Sequence, residues 1–153
     1  MTEAEFTAWL VCSIPEHAAE KVIAGLWTQE ESAERSRAEH EKLLPLGLSS
    51  KGNHFFCIVG PDGESVGMLW FEEQAKFGQP IAYVYKVEVA SGHQRKGHAR
   101  KAFVELERKI EAMGLHGIAL HVYGHNSGAR SLYASLGFVP TNIHMFKHVS
   151  GGA

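Results

Sequence analysis

Residues Val87 to Ala102 read Val-Glu-Val-Ala-Ser-Gly-His-Gln-Arg-Lys-Gly-His-Ala-Arg-Lys-Ala, the most informative stretch of the chain. Apolar residues alternate up to Val89, as in a strand. A polar turn follows, and from Gly97 the pattern changes to the spacing of an amphipathic helix. A small-residue turn between strand and helix leaves backbone N–H groups unpaired at the positive end of the helix dipole, which suits a phosphate. Arg95 and Lys96 add positive charge to the same turn. The stretch fits neither the dinucleotide fingerprint with its three glycines nor the P-loop with its Gly-Lys-Ser/Thr ending. An ordinary glycine-containing helix start would share some of these features, so other parts of the chain must decide.

Around it the chain punctuates clearly. Ser13-Ile-Pro-Glu16 has the spacing of a capping box, with Ala19, Val22, Ile23 and Leu26 at helical intervals behind it. Thr28-Gln-Glu-Glu31 repeats the signal and starts a second helix carrying Ala33, Arg37, His40, Leu43 and Leu44, stopped by Pro45 and Gly47. His54 to Val59 and Ser65 to Phe71 read as a hairpin about Pro61-Asp62-Gly63. Ile81 to Val89 is a further strand. After Gly97, Ala99, Ala102, Phe103, Leu106, Ile110 and Met113 form one helical stripe, and Gly114 stands where a C-terminal cap belongs. Gly117 to Tyr123 reads as a strand, Ser127 to Leu136 as a short helix ended by Gly137, and Phe138 to Val149 as a last extended segment. The class is mixed α/β (α+β), with a right-handed parallel crossover in the middle.

The second informative constellation is Asn126-Ser-Gly-Ala129-Arg-Ser-Leu132-Tyr133-Ala-Ser-Leu136-Gly137-Phe138. Taken singly, Asn126 is a helix cap, Leu132 and Leu136 are core, and Tyr133 is a core ring with a wet hydroxyl. Taken with Gln94-x-x-Gly97-x-Ala99, in this order and separated by one helix and one strand, the chain resembles the GNAT N-acetyltransferase superfamily. The stretch Gly25 to Gly47 is similar to its bacterial members. Gln94 stands where arginine is commoner, and Ala99 where the last glycine is commoner.

The resemblance implies a single acetyltransferase domain over residues 1–149, with a frayed tail at 150–153. It implies a central mixed sheet with a splayed parallel strand pair and about four flanking helices. It implies acetyl-CoA as co-substrate and an acceptor amine. Pantetheine would lie along the main chain of Val87, Glu88 and Val89. The turn from Gln94 through Arg95, Lys96, Gly97, His98 and Ala99 to Arg100 would take the pyrophosphate. Asn126, with Ala129 beside it on the helix, would meet the pantetheine arm, and Tyr133 would protonate the departing thiolate. The amine must also lose a proton. His121 and Glu88 are both candidates for the base, as is a water chain.

Composition bounds the rest. With 153 residues, 44% hydrophobic and a net charge of -2, the chain has the size of one globular domain and no electrostatic case for nucleic acid or an anionic membrane. No apolar run reaches the length of a membrane span, and the N-terminal stretch lacks the features of a secretion signal, so a cytoplasmic enzyme is expected. Cys12 and Cys57 read as buried free thiols in a reducing compartment. His116, His121 and His125 do not share a helical face, and no metal is expected. A homodimer is left open. The competing functions are a non-catalytic acyl-CoA-binding module on the same scaffold, a protein–protein adaptor that binds no CoA, and an enzyme acting on protein N-termini or lysines.

Overall fold

The computed structural model describes residues 1–151; the last two positions of the expected tail lie outside the described residues. These residues divide into two compact units, the first from Met1 to His121 and the second from Val122 onward. The first holds helices α1 (Glu3–Ile23), α2 (Gln29–Leu43) and α3 (His98–Ala112), and strands β1 (Asn53–Val59), β2 (Ser65–Lys76), β3 (Gln79–Val89) and β4 (Ile118–Leu120). The sheet order is β1-β2-β3-β4, antiparallel except for the β3–β4 pair. The second unit holds α4 (Ser127–Ser135). The expected class, a mixed sheet with four helices, is what the chain adopts.

Helix α1 begins eleven residues earlier than the Ser13 signal predicts. Thr2 and Glu5 form the capping box instead: the Thr2 N–H donates to Glu5 Oε2 (2.6 Å), and the Glu5 N–H to Thr2 Oγ1 (3.3 Å). Pro15 then lies inside the helix, and Ser13 is buried within it. The second box is where it is expected, with the Thr28 N–H donating to Glu31 Oε1 (3.2 Å). The buried stripe of α2 is Ser32, Ser36 and His40, not the more apolar set the periodicity favours. Small hydroxyl residues let the two helices approach closely, and each hydroxyl must then find a partner. Ser36 Oγ donates to the Ile14 carbonyl (2.6 Å), Ser32 Oγ to that of Gln29 (3.0 Å), and Ser13 Oγ lies 3.2 Å from His40 Nε2. Ile23 and Leu26, expected on the packed stripe of α1, are exposed, and Ala18 and Trp27 are buried in their place. Cys12 is exposed as well, contrary to expectation, because it lies on the outer side of α1.

Side chains alternate across β1, so neighbouring phenylalanines serve opposite faces. Phe55 joins Phe6, Trp9, Leu44, Met68 and Trp70 in one core cluster, with Tyr85 packed against it. Phe56 lies under Lys109 of α3 (4.9 Å from Nζ to the ring centroid) and stacks on Phe71. Helix α3 buries Phe103, Leu106 and Ile110, as its stripe predicts. It ends through Gly114 at φ 76°, with Leu115 N–H on the Ile110 carbonyl (2.9 Å) and Gly114 N–H on that of Glu111 (3.0 Å).

Strands β2 and β3 are longer than the sequence indicates. They meet at a two-residue turn in which Phe77 (φ 55°) and Gly78 (φ 75°) both adopt positive φ, between the paired Lys76 and Gln79. Phe-Gly lacks the Asn-Gly or Asp-Gly signal of such turns, so this hairpin extension is not predicted. Strand β4 ends at Leu120, and Tyr123 and the intervening residues are not in it. No strand forms in the described residues after Phe138. An extended segment becomes a strand only when a neighbour takes its backbone bonds. Val139, Ile143, Met145, Phe146 and Val149 are exposed there.

His40 Nδ1 bonds to the Ser36 carbonyl (2.8 Å), and Nε2 faces Ser13; burial holds its pKa below the ordinary value of 6.5. His17, Glu39 and Lys86 supply the surrounding charge, with smaller effects. In the unfolded chain the imidazole accepts a proton near its ordinary pKa, whereas the folded protein resists it. Stability is therefore expected to fall as pH drops below about 6.5 toward the lower folded value. Urea midpoints at pH 7.5 and pH 5 should show this drop, and His40→Gln should reduce it.

Candidate active site

The expected cleft begins where β3 parts from β4. The parallel ladder has three pairs, Ala82 with Ile118, Tyr83 with Ala119 and Val84 with Leu120, and then stops. On its other side, β3 pairs Val84 with Phe71 and Lys86 with Trp70, so Tyr85 is an extra residue. This is a β-bulge, which bends and twists the strand that carries it. The bend occurs at the residue where pairing to β4 ends, and β3 runs on for five half-buried residues, from Tyr85 to Val89. β4 ends at Leu120, where its ladder to β3 ends.

Hydrogen-bond alternation then fixes which main-chain groups face the opening. The Ala90 N–H donates to the Val66 carbonyl (2.8 Å), which makes that a bonded antiparallel pair. Two residues back, Glu88 therefore turns its main chain toward β2. A Cβ built on Gly67 would collide with the Glu88 carbonyl oxygen, in keeping with that direction. Val87 and Val89, between bonded positions, direct N–H and C=O toward the side away from β2. Of these, the Val89 carbonyl accepts the side-chain amide of Gln94 (3.0 Å). Gln94, expected at the cofactor, thus closes the turn onto the strand end.

The turn itself contains two positive-φ residues, Arg95 at 60° and Gly97 at 83°. Gly97 is the N-cap of α3, with no side-chain cap and nothing within 4 Å of a built Cβ. The first helical acceptor is the Gly97 carbonyl, bonded by the Lys101 N–H (3.1 Å). The N–H groups of His98 and Ala99 consequently have no intrahelical partner. Left-handed and right-handed residues in close succession make backbone N–H groups converge into an anion-sized concavity. Arg95, Lys96, Arg100 and Lys101 are all exposed around it. The donor set is chemically suited to a phosphate, and no side chain fills the space over Gly97.

The bulge also resets side-chain parity. Lys86 and Glu88 pair with Trp70 and Met68, so they lie on the same face as those core residues. Lys86 Nζ accordingly reaches Glu16 of α1 (3.7 Å). Glu88 is half-buried on this face, and His121 is exposed just past the end of β4. Among the aromatic residues, Trp9, Trp27, Trp70 and Phe71 are buried, and Tyr83 and Tyr85 are half-buried.

The second unit contains the other expected residues. Asn126 caps α4, its Oδ1 accepting the Ala129 N–H (3.2 Å), which leaves Nδ2 as a donor. Tyr133 is half-buried, 5.6 Å from the Phe138 ring, and burial raises its pKa. The Gly137-Phe138 pair has a local cause: glycine takes φ 93°, and the Phe138 N–H bonds the Tyr133 carbonyl (3.0 Å). Among the described residues no group of His, Cys, Asp and Glu could hold a metal ion.

Sequence reading missed Glu72 and Gln74, which lie beyond the expected end of β2. Tyr85 Oη donates to Glu72 Oε2 (3.0 Å), and Gln74 Nε2 bonds both (2.8 and 3.1 Å). Burial and the Glu72 hydrogen bond push Tyr85 up to about 12. The run Glu72-Glu73-Gln74 breaks the apolar/polar alternation after Phe71, so a period-two reading ends β2 before them.

The acetyltransferase (GNAT) family profile matches residues 16–138. The chain is 33% identical over 149 residues to the uncharacterized N-acetyltransferase YdgE of Bacillus subtilis, covering 97% of this chain and 95% of that one. The crystal structure of YycN from the same organism superposes with a TM-score of 0.91 at 31% identity, over 99% of this chain and 96% of that one. A complex of AAC(6')-Iy with the bisubstrate analog CoA-S-monomethyl-acetylneamine shares the fold at 17% identity, with a TM-score of 0.56 over 77% of this chain and 80% of that one.

Gly67→Ala should force β2 and β3 apart beside the opening. An overpacked Cβ against backbone is expected to lower stability by about 1–3 kcal/mol in chemical denaturation.

Proposed function

The chain belongs to the GNAT acetyltransferase family and is an N-acetyltransferase; from that premise we propose that it transfers acetyl from acetyl-CoA to a primary amine of a small molecule or peptide, by direct attack in a ternary complex. The observation that carries this is the three-pair parallel ladder broken at the Tyr85 bulge, with a strand edge leading from the break to the bare amides of α3. We further take residues 1–149 to act as one acetyltransferase domain in the cytoplasm. No described helix is long and apolar enough to cross a membrane.

Acetyl-CoA supplies an activated thioester and a pantetheine arm rich in amide groups. The Val87 N–H and C=O and the Val89 N–H are the main-chain groups suited to such an arm, in the manner of an added strand. The amides of His98 and Ala99, with Arg95 and Lys96 beside them, suit the pyrophosphate. The thioester is the end of the arm remote from the pyrophosphate, so the Val87 N–H, farther from α3 than that of Val89, is the donor for negative charge that develops on the thioester oxygen. Glu88 is the base we favour, because its carboxylate shares a face with Tyr85 and Lys86; His121, at the end of β4, is the alternative.

For the second unit the family pattern carries the assignment. Asn126 Nδ2 remains free to donate to the arm after Oδ1 has capped α4. Tyr133 is the acid for the departing thiolate. Its raised pKa keeps the phenol protonated at neutral pH, the form an acid needs. An alkyl thiol has a pKa near 8.5, so the transfer is uphill by equilibrium pKa values, and alignment must supply the advantage.

The test is a thiol-release assay over alkylamines, amino acids and peptides, together with thermal unfolding. Acetyl-CoA at a hundredfold excess over its dissociation constant should stabilise the protein by about 2.7 kcal/mol. Tyr133→Phe should lower kcat by roughly a hundredfold, and the dissociation constant of acetyl-CoA should change less than twofold. No stabilisation by acetyl-CoA, together with no thiol release from any amine, would overturn the proposal.

A further inference from the structure

Glu72 is a half-buried carboxylate among aromatic rings with no counter-ion. Its Oε2 accepts from Tyr85 Oη and Gln74 Nε2, which also bond each other, so the three side chains form a closed triangle. No ion pair involves Glu72 among the described residues, and Oε1 has no hydrogen-bond donor there. The walls are aromatic. Tyr85 stacks on Trp70 (4.6 Å between centroids), and Tyr83 meets Tyr85 edge-on at 4.9 Å. Lys76 already places its ammonium 4.6 Å from the Tyr83 ring centroid, so a face of this wall accepts a cation. A preorganised carboxylate with one open oxygen, bordered by ring faces, is built to receive an alkylammonium ion.

Its location relates it to the reaction. Tyr85 is the bulged residue at which β3 leaves β4, and the proposed thioester-binding main chain, at Val87, lies two residues further on. At the rise of a strand this is roughly 7 Å. Glu88, on the same face, adds negative charge nearby, and Lys86 is paired with Glu16. A reacting amine must be neutral to attack, so a cation at Glu72 is a second group of the acceptor.

We propose that Glu72, held by Tyr85 and Gln74, is the specificity site for an acceptor carrying a second cationic amine about one short alkyl chain away from the amine that reacts. The acetyl-transfer half of this rests on the function proposed above; the cation site does not.

The experiment therefore reads binding and turnover separately, with 1,6-diaminohexane and n-hexylamine as chain-matched probes. In calorimetry without CoA, the wild-type protein should bind the diamine at least tenfold more tightly than the monoamine. Glu72→Gln should abolish that preference. Tyr85→Phe, which removes the hydroxyl's two hydrogen bonds and keeps the ring, should reduce it severalfold. Glu73→Gln, one residue away on the opposite face beside His54, should leave it unchanged. In turnover, Glu72→Gln should raise KM for the diamine at least tenfold, change KM for the monoamine less than twofold and leave kcat near its wild-type value. A wild-type protein that does not prefer the diamine, or a Glu72→Gln protein that still does, overturns the proposal. A binding preference that persists while no amine releases thiol would sink acetyl transfer and leave the cation site standing.

Discussion

A parallel strand pair that stops after Val84 is the constraint from which the rest follows. Backbone N–H and C=O groups withdrawn from water need partners, and a strand rarely abandons its neighbour without a local cause. Here the cause is one inserted residue. Tyr85 has no counterpart on β2, so β3 bends at that point and carries its remaining residues away from β4. The main chain of Val87 and Val89 then points away from β2, past the end of the β4 ladder, and the Val89 carbonyl accepts the side-chain amide of Gln94. The same residue, Tyr85, thus interrupts the pairing and packs its ring on Trp70.

The helix after the opening is held rigidly, and this gives its exposed amides their value. Phe103, Leu106 and Ile110 are almost wholly buried, so α3 cannot rotate or slide without losing core contacts. Its N-terminus is in turn tied to the end of β3 by Gln94 and by the short turn at Ser91–His93. Donors fixed in this way need little reorganisation when a phosphate arrives. Glycine at position 97 serves the backbone alone: φ of 83° strains any other side chain, although the space around it is open.

Strong local signals in the chain survive into the structure. The α3 stripe, Gly97, Gly114, the Thr28–Glu31 box and the Asn126-to-Phe138 pattern all have causes within a few residues, and all appear where they are expected. Features that depend on a neighbour were not readable. A bulge is a count of residues against a partner strand, so Val84-Tyr85-Lys86 gives no sign of it alone. The Ser13 box was outcompeted by Thr2 and Glu5, a conflict that only the packing of Ser13 against His40 resolves. The serine stripe of α2 looks like a solvated face until α1 is known to lie against it. Glu72 and Gln74 were missed because Phe77-Gly78 does not resemble a hairpin turn. The segment after Phe138 has strand-like composition and no ladder among the described residues, since composition cannot supply the partner.

The near-zero net charge conceals a division within the first unit. Arg95, Lys96, Arg100 and Lys101 gather around the start of α3, and Glu72 of β2 and Glu88 of β3 lie on the face of the sheet that packs against α1. Parity explains the second group. Without the extra residue at Tyr85, simple alternation from Tyr83 would send Lys86 and Glu88 to the α3 face, among Phe71 and Phe103. The bulge moves both to the other face, where Lys86 is neutralised by Glu16 and Glu88 remains as net negative charge. A phosphate-bearing substrate would be drawn to the start of α3, and a cationic partner to the carboxylates on the α1 face of the sheet. Opposed fields of this kind orient two reactants toward each other before any specific contact forms. For a reaction between a phosphate-bearing thioester and an amine, that orientation is the entropic part of the work.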